Sequence, residues 1–131
     1  MDRFFNTVNG EQAAARAAFE SFDPYTGQPW ALIPADGPNE VDAAVASARE
    51  AFRGWAGLTA TARAKLLVRL ADLIEANAER LAALETRDNG KLIAETGAQC
   101  RYAPEWYRYF GGLADKIEGA VLPIDKADMF A

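Results

Sequence analysis

The sequence predicts a mainly α-helical fold with a short N-terminal β-hairpin, and three observations carry that prediction. Residues 1–34 are punctuated by turn chemistry: an Asn9-Gly10 pair, then Asp23-Pro24-Tyr25-Thr26-Gly27 between two apolar runs. From Pro38 the apolar residues Val41, Val45, Ala48, Phe52 and Trp55 recur at steps of three and four, the spacing of one helical face. A leucine-rich stripe continues that periodicity through Leu66, Leu67, Leu70, Leu73, Ile74, Ala78, Leu81 and Leu84.

Taken in order, Val8-Asn9-Gly10-Glu11 reads as a hairpin turn. Residues 11–19, EQAAARAAF, fit a strand or a short helix, because alanine is the best helix former, and both readings stay open. Pro24 pre-sets the following turn and Gly27 closes it. The first helix begins at Pro38, where a missing N–H costs nothing. Asp36 or Gly37 caps it, Glu40 faces the positive end of its dipole, and Gly54 and Gly57 end it. Thr59 caps a second helix, which Asn77 kinks or restarts. A third runs from about Leu92 to Glu118 with Trp106, Phe110, Leu113 and Ile117 on one face. Pro104 predicts a break near Tyr102 and a second segment from Pro104. Residues 120–125, AVLPID, read as a short extended strand.

With 131 residues the chain has room for one core. A net charge of -5, with scattered arginines, argues against a nucleic-acid partner. No apolar run is long enough to span a membrane, and the first residues lack the pattern of a signal peptide, so a cytoplasmic location is expected. One cysteine and no histidine exclude an internal disulfide, a histidine base and a Cys/His metal cluster.

The stretch ETRDNGK, residues 85–91, is where chemistry would be sought first. Asn89 or Gly90 suits the left-handed conformation of a helix C-cap, and Lys91 can satisfy late carbonyls, so a helix stop is the favoured reading. A calcium loop needs more carboxylates than Asp88, and no glycine-rich phosphate loop follows a strand. Nothing in the spacing fixes the geometry of Glu85, Asp88 and Glu95 for acid–base work. Cys100 falls mid-helix and reads as an inert thiol. Trp106, Tyr107, Tyr109 and Phe110 read as core aromatics.

Five segments in order, VNGE, FDPYTGQPWALIP, VDAAVASAREAFRGWAG, RAKLLVRLADLIEANAERLAALETRDNGK and RYFGGLADKIEGAVLPID, resemble the N-terminal portion of the aldehyde dehydrogenase superfamily. The resemblance implies the N-terminal part of an α/β fold whose dinucleotide-binding sheet is missing here. It divides the chain into an N-terminal arm and hairpin (1–34), amphipathic helices of an incomplete dinucleotide-binding domain (35–119) and the start of an oligomerisation strand (120–131). It implies oxidation of an aldehyde to a carboxylate with NAD or NADP by the full-length enzyme, through a cysteine thiolate, hydride transfer and a glutamate-activated water. Those parts lie beyond these residues in the family, so no catalytic and no cofactor-binding residue is assigned, no cofactor is expected for this chain alone, and it should be inactive alone. Gly97-Ala98-Gln99-Cys100 is similar to the stretch around the family nucleophile, but its order differs and Cys100 receives no role. The resemblance also implies backbone carbonyls for a monovalent cation at Asp88 and at Ser21 or Phe22, and a substrate-tunnel mouth at Tyr102 and Trp106. The expected partner is a second copy in a homo-oligomer or the remainder of the dehydrogenase. The competing reading is a non-enzymatic helical module for self-association or interaction.

Overall fold

The computed structural model describes residues 1–122, 125–129 and 131. Five short strands precede four helices: β1 Asp2–Arg3, β2 Asn6–Val8, β3 Glu11–Ala13, β4 Ala17–Phe22, β5 Pro29–Ala35, α1 Pro38–Ala56, α2 Ala60–Ala76, α3 Ala78–Asn89 and α4 Ile93–Leu113. The chain is thus mainly helical with small sheets, and among the described residues no dinucleotide-binding sheet is built.

The β2–β3 hairpin pairs Asn6 with Ala13 and Val8 with Glu11, leaving Asn9 and Gly10 as a two-residue loop at φ 53° and 79°. Positive φ at both positions is what the inward twist of a tight hairpin demands, and asparagine and glycine supply it with least strain. Residues 11–19 resolve as strand on both sides of a bend, because the turn residues fix a register that a lone alanine-rich helix could not match. In the second sheet β5 is central, antiparallel to β4 and parallel to β1. The β4–β5 turn is held by Asp23, whose carboxylate accepts from Tyr25 N–H at 2.8 Å while its carbonyl accepts from Gly27 N–H at 2.8 Å.

α1 and α2 begin at their expected signals, and α3 restarts at Asn77. Glu40 accepts the Gly37 N–H at 2.9 Å at the start of α1, and Thr59 Oγ1 accepts from Ala62 N–H at 3.2 Å at the start of α2. Asn77 separates α2 from α3, its side-chain amide donating to Leu73 O at 2.8 Å. Gly90, at φ 77°, caps α3 and donates its N–H to Thr86 O.

The predicted break at Pro104 does not occur. α4 runs unbroken from Ile93 to Leu113 with Pro104 inside it, and stops short of Glu118. The proline ring is fully buried where α4 packs on α2 and α3. Helix contacts on both sides of the ring hold the backbone and offset a local cost of about 3 kcal/mol. The core is small and built largely from small residues, Ala71, Ala78, Ala82, Thr96, Gly97 and Gly111, which let α2, α3 and α4 approach closely; Trp30 and Ala31 fill it from β5. α1 buries none of its residues. The four aromatics read as core lie at the surface instead: Trp106, Tyr109 and Phe110 each expose more than half their area, because the one face of α4 available to α2 and α3 is taken by small residues. Of the expected strand at 120–125, residues 120–122 carry no strand, and Pro123 and Ile124 lie outside the described residues.

Candidate functional site at the junction of β4 and α3

Ser21 and Phe22 close β4, and Asp88 occupies the last turn of α3. The fold brings them together: Ser21 Oγ donates to Asp88 Oδ1 at 2.5 Å. Immediately beyond, Gly90 lies against Pro24 so closely that a Cβ placed on it would sit 3.2 Å from the proline Cβ. A helix stop and a hairpin turn are therefore packed against each other.

The junction is rich in carbonyls without regular donors. The last four carbonyls of a helix have no partner within it, and Asp88 is among those of α3. On the strand side, the register slips between Ser21 and Phe22, and Phe22 stands opposite Pro29, which has no N–H to return. Asn89 Oδ1 turns back to accept Lys91 N–H at 2.9 Å, and the Lys91 ammonium is held by Gln99 Oε1 with Glu85 at 4.0 Å. A cation at these carbonyls would meet the negative end of the α3 dipole. Among the described residues no three carboxylate or thiol side chains gather as a metal cluster.

Next to the junction the Arg87 guanidinium stacks 5.0 Å over the Trp30 ring and reaches Asp2 at 3.9 Å. Phe4 meets the same ring edge-on at 5.7 Å. The Trp30 indole N–H is buried with no acceptor among the described residues, and a cleft of about 250 Å³ between Trp30, Phe4, Leu84 and Asp88 opens beside it. Sequence reasoning missed Arg87 and Trp30, because their contact joins β5 to α3 and no local pattern marks it.

Tyr102 and Trp106 stand one turn apart on α4 with rings edge to face at 6.0 Å, both more than half exposed. Trp106 also lines an open apolar cleft of about 530 Å³ with Leu67, Tyr107 and Phe110. Among the described residues no hydrogen bond links this pair to Ser21 and Asp88, and the clefts beside Trp106 and Asp88 are separate. Cys100 is half-buried on the same helix.

The strand-to-helix turn among the described residues does not fit a dinucleotide phosphate. The turn from β5 into α1 is a strand-to-helix turn of the kind that can hold a phosphate, but Asp36 stands in it and the Glu40 carboxylate already takes the Gly37 N–H. An anion there would face two carboxylates. Charge is instead concentrated in a clamp on the far side of α4, where Arg108 bonds Asp72 at 2.9 Å and Glu75 at 2.5 Å on α2, and Glu105 at 2.8 Å on its own helix. Those three bonds, that to Glu75 foremost, hold the guanidinium above its ordinary pKa. The clamp fixes α4 against α2 and offers no free group for chemistry. Among the described residues no helix is long and apolar enough to cross a membrane.

Comparison with known proteins agrees with this architecture. The sequence model of the aldehyde dehydrogenase family matches residues 11–131. The chain is 50% identical to a (Z)-2-((N-methylformamido)methylene)-5-hydroxybutyrolactone dehydrogenase of Acinetobacter baylyi over all of its own length and 27% of the relative's. Among solved structures it is similar to a succinate-semialdehyde dehydrogenase from Burkholderia pseudomallei, with a TM-score of 0.88 at 35% identity over 95% of this chain and 26% of the other. It is also similar to PnpE in complex with nicotinamide adenine dinucleotide, with a TM-score of 0.86 at 38% identity over 95% of this chain and 26% of the other. The chain thus spans about a quarter of the length of the relatives it matches.

Proposed function

Because this chain belongs to the aldehyde dehydrogenase family, we propose that it serves as the N-terminal portion of an enzyme that oxidises an aldehyde to a carboxylate with NAD or NADP. In this reading the 131 residues supply scaffold and a structural-ion site, and the nucleophile and the dinucleotide site come from other residues of the enzyme. The observation that carries the reading is the family match over residues 11–131 joined to half-exposed apolar faces on three helices, among them Phe52 on α1, Leu73 on α2 and Phe110 on α4. Burying a large apolar side chain is worth about 1.5–3 kcal/mol, so such faces are suited to covering by further polypeptide.

Within that enzyme, the Asp88 carbonyl, with that of Ser21 or Phe22, is the proposed seat of a monovalent cation. The donor-poor carbonyls at the end of α3 and the register slip beside Pro29 support it. Tyr102 and Trp106 are the proposed lining of the substrate entrance, supported by their paired, exposed rings. Residues 120–131 are proposed to lead into an oligomerisation strand. The chain by itself is proposed to be inactive and to work in the cytoplasm as part of a homo-oligomeric enzyme. A second reading, a helical module whose role is association, is favoured by the same exposed faces.

A chimera separates the two readings. This chain replaces the matching quarter of the Acinetobacter baylyi relative, and aldehyde-dependent formation of NADH or NADPH is followed. The enzyme reading expects turnover from the chimera and none from the 131 residues alone. A folded chimera without turnover, or turnover by the isolated chain, overturns it.

A further inference from the structure

Two of the chain's five asparagines stand before glycine, at Asn9-Gly10 and Asn89-Gly90, and the fold treats the two pairs differently. An asparagine side-chain amide is open to attack by the backbone nitrogen of the residue that follows. Proximity favours this intramolecular reaction, and a glycine, with no Cβ beside the nitrogen, hinders it least. Both asparagines are exposed, so access of water does not separate them. The state of the backbone nitrogen does. Gly90 donates its N–H to Thr86 O at 2.9 Å and is packed on Pro24, while Asn89 closes α3 and its Oδ1 accepts Lys91 N–H at 2.9 Å. At the hairpin tip the β2–β3 ladder ends at Val8 and Glu11, and among the described residues neither the Gly10 N–H nor the Asn9 side chain has a hydrogen-bond partner. No atom of the described residues lies within 4 Å of where a Gly10 Cβ would sit.

We propose that Asn9 is a site of spontaneous covalent modification and that Asn89 is its protected counterpart. Hydroxide removes the Gly10 amide proton, the nitrogen bonds to the side-chain carbonyl carbon of Asn9, and the side-chain nitrogen leaves as ammonia. The cyclic imide so formed takes up one water. Opening at one carbonyl gives aspartate at position 9, and opening at the other gives isoaspartate, whose extra backbone carbon lengthens the two-residue loop. No oxidant or reductant takes part. At Asn89 the same attack first requires the Gly90 N–H to leave Thr86 and the last turn of α3 to open, a local unfolding step that lowers the reactive population. The isoaspartate product no longer matches the tight turn that pairs Val8 with Glu11, so the β2–β3 register is lost while the helices keep their own hydrogen bonds.

The test is incubation of the 131-residue chain at mildly alkaline pH, with peptide mass spectrometry reading amide-to-acid conversion at each asparagine. It is run once under folding conditions, with helical content checked by circular dichroism, and once in concentrated urea. In the folded chain Asn9 is expected to convert about tenfold faster than Asn89 or more, because the cap must open before Asn89 reacts. In urea the two rates should converge, since both asparagines precede glycine. Hydrogen exchange of the aged chain should be faster at the β2–β3 amides and unchanged in the helices. Equal rates at the two sites in the folded chain overturn the proposal, and so does a difference that persists undiminished in urea, which would belong to the neighbouring residues rather than to the fold. An aged hairpin whose amides exchange no faster than before overturns the loss of register.

Discussion

Ser21 and Asp88 lie 67 positions apart in the chain, yet the serine hydroxyl donates to the aspartate carboxylate at 2.5 Å and ties the end of β4 to the last turn of α3. The bond sits at the surface, where water competes with it. It is a tether between sheet and helices more than a source of core stability.

Its removal should therefore cost about 1 kcal/mol, the usual net worth of one such hydrogen bond. Ser21→Ala and Asp88→Ala are expected to lower the urea midpoint by similar amounts. The double variant should lose little more than either single, because the two residues act through one bond. Additive losses in denaturant titrations would show that each residue works through other partners.

Two glycines should respond to alanine with opposite signs. Gly90 combines φ 77° with the Pro24 Cβ at 3.2 Å from any added Cβ, so Gly90→Ala is strained in backbone and in space, and a loss of about 1–2 kcal/mol is expected. Gly111 lies inside α4, where an added Cβ would meet Ala64 O at 3.4 Å and Leu67 Cβ at 3.5 Å, ordinary contact distances. Helical propensity then dominates, and Gly111→Ala should gain about 0.5–1 kcal/mol. Thermal unfolding of both variants reads the two signs directly.

Where the determinants are local, these contrasts can be read from the sequence. Asn9-Gly10, Pro38 with Glu40, Thr59 and Asn89-Gly90 each satisfy or break the backbone within four residues, and each element begins or ends where they predict. Pro104 does not follow the same logic, because its fate is decided by helices that bury it rather than by its neighbours in the chain. The two-residue β1 is illegible for the same reason: Asp2 and Arg3 become a strand only by lying beside Ala31 and Leu32. Of the candidate site, Asp88 and Ser21 were named through resemblance to a family. Their side-chain bond, and the stacking of Arg87 on Trp30, depend on bringing sheet to helix, and no periodicity encodes that.

The Arg108 clamp should respond to salt and to its partners, but not to mild alkali. Its pKa is raised in the folded chain, so the stability it contributes is fully present below the unfolded value and is lost only as pH rises through the folded one. That window lies above the ordinary arginine range. Unfolding midpoints should accordingly show no loss from this group between neutral pH and mild alkali. Arg108→Ala should loosen α4 from α2, and added salt should narrow the gap between variant and parent, since the guanidinium is a third exposed. A gap that salt leaves unchanged would assign the effect to packing of the arginine stem.

The pair Thr86 and Thr96 offers the cleanest test of how α3 and α4 are joined. Thr96 is fully buried, and its hydroxyl meets that of half-buried Thr86 at 2.8 Å while also reaching Ile93 O at 3.2 Å. Thr86→Val leaves Thr96 a partner in its own helix and should cost about 0.5–1 kcal/mol. Thr96→Val strands the Thr86 hydroxyl against an apolar neighbour and should cost about 1–2 kcal/mol. With both hydroxyls replaced by methyls of nearly the same volume, no polar group is left unpaired at the contact, so the double variant should recover part of that loss. Chemical denaturation of the four chains gives the coupling directly. A double-variant loss equal to the sum of the singles would mean that the hydroxyls stabilise α3 and α4 separately, through bonds to their own helices rather than to each other.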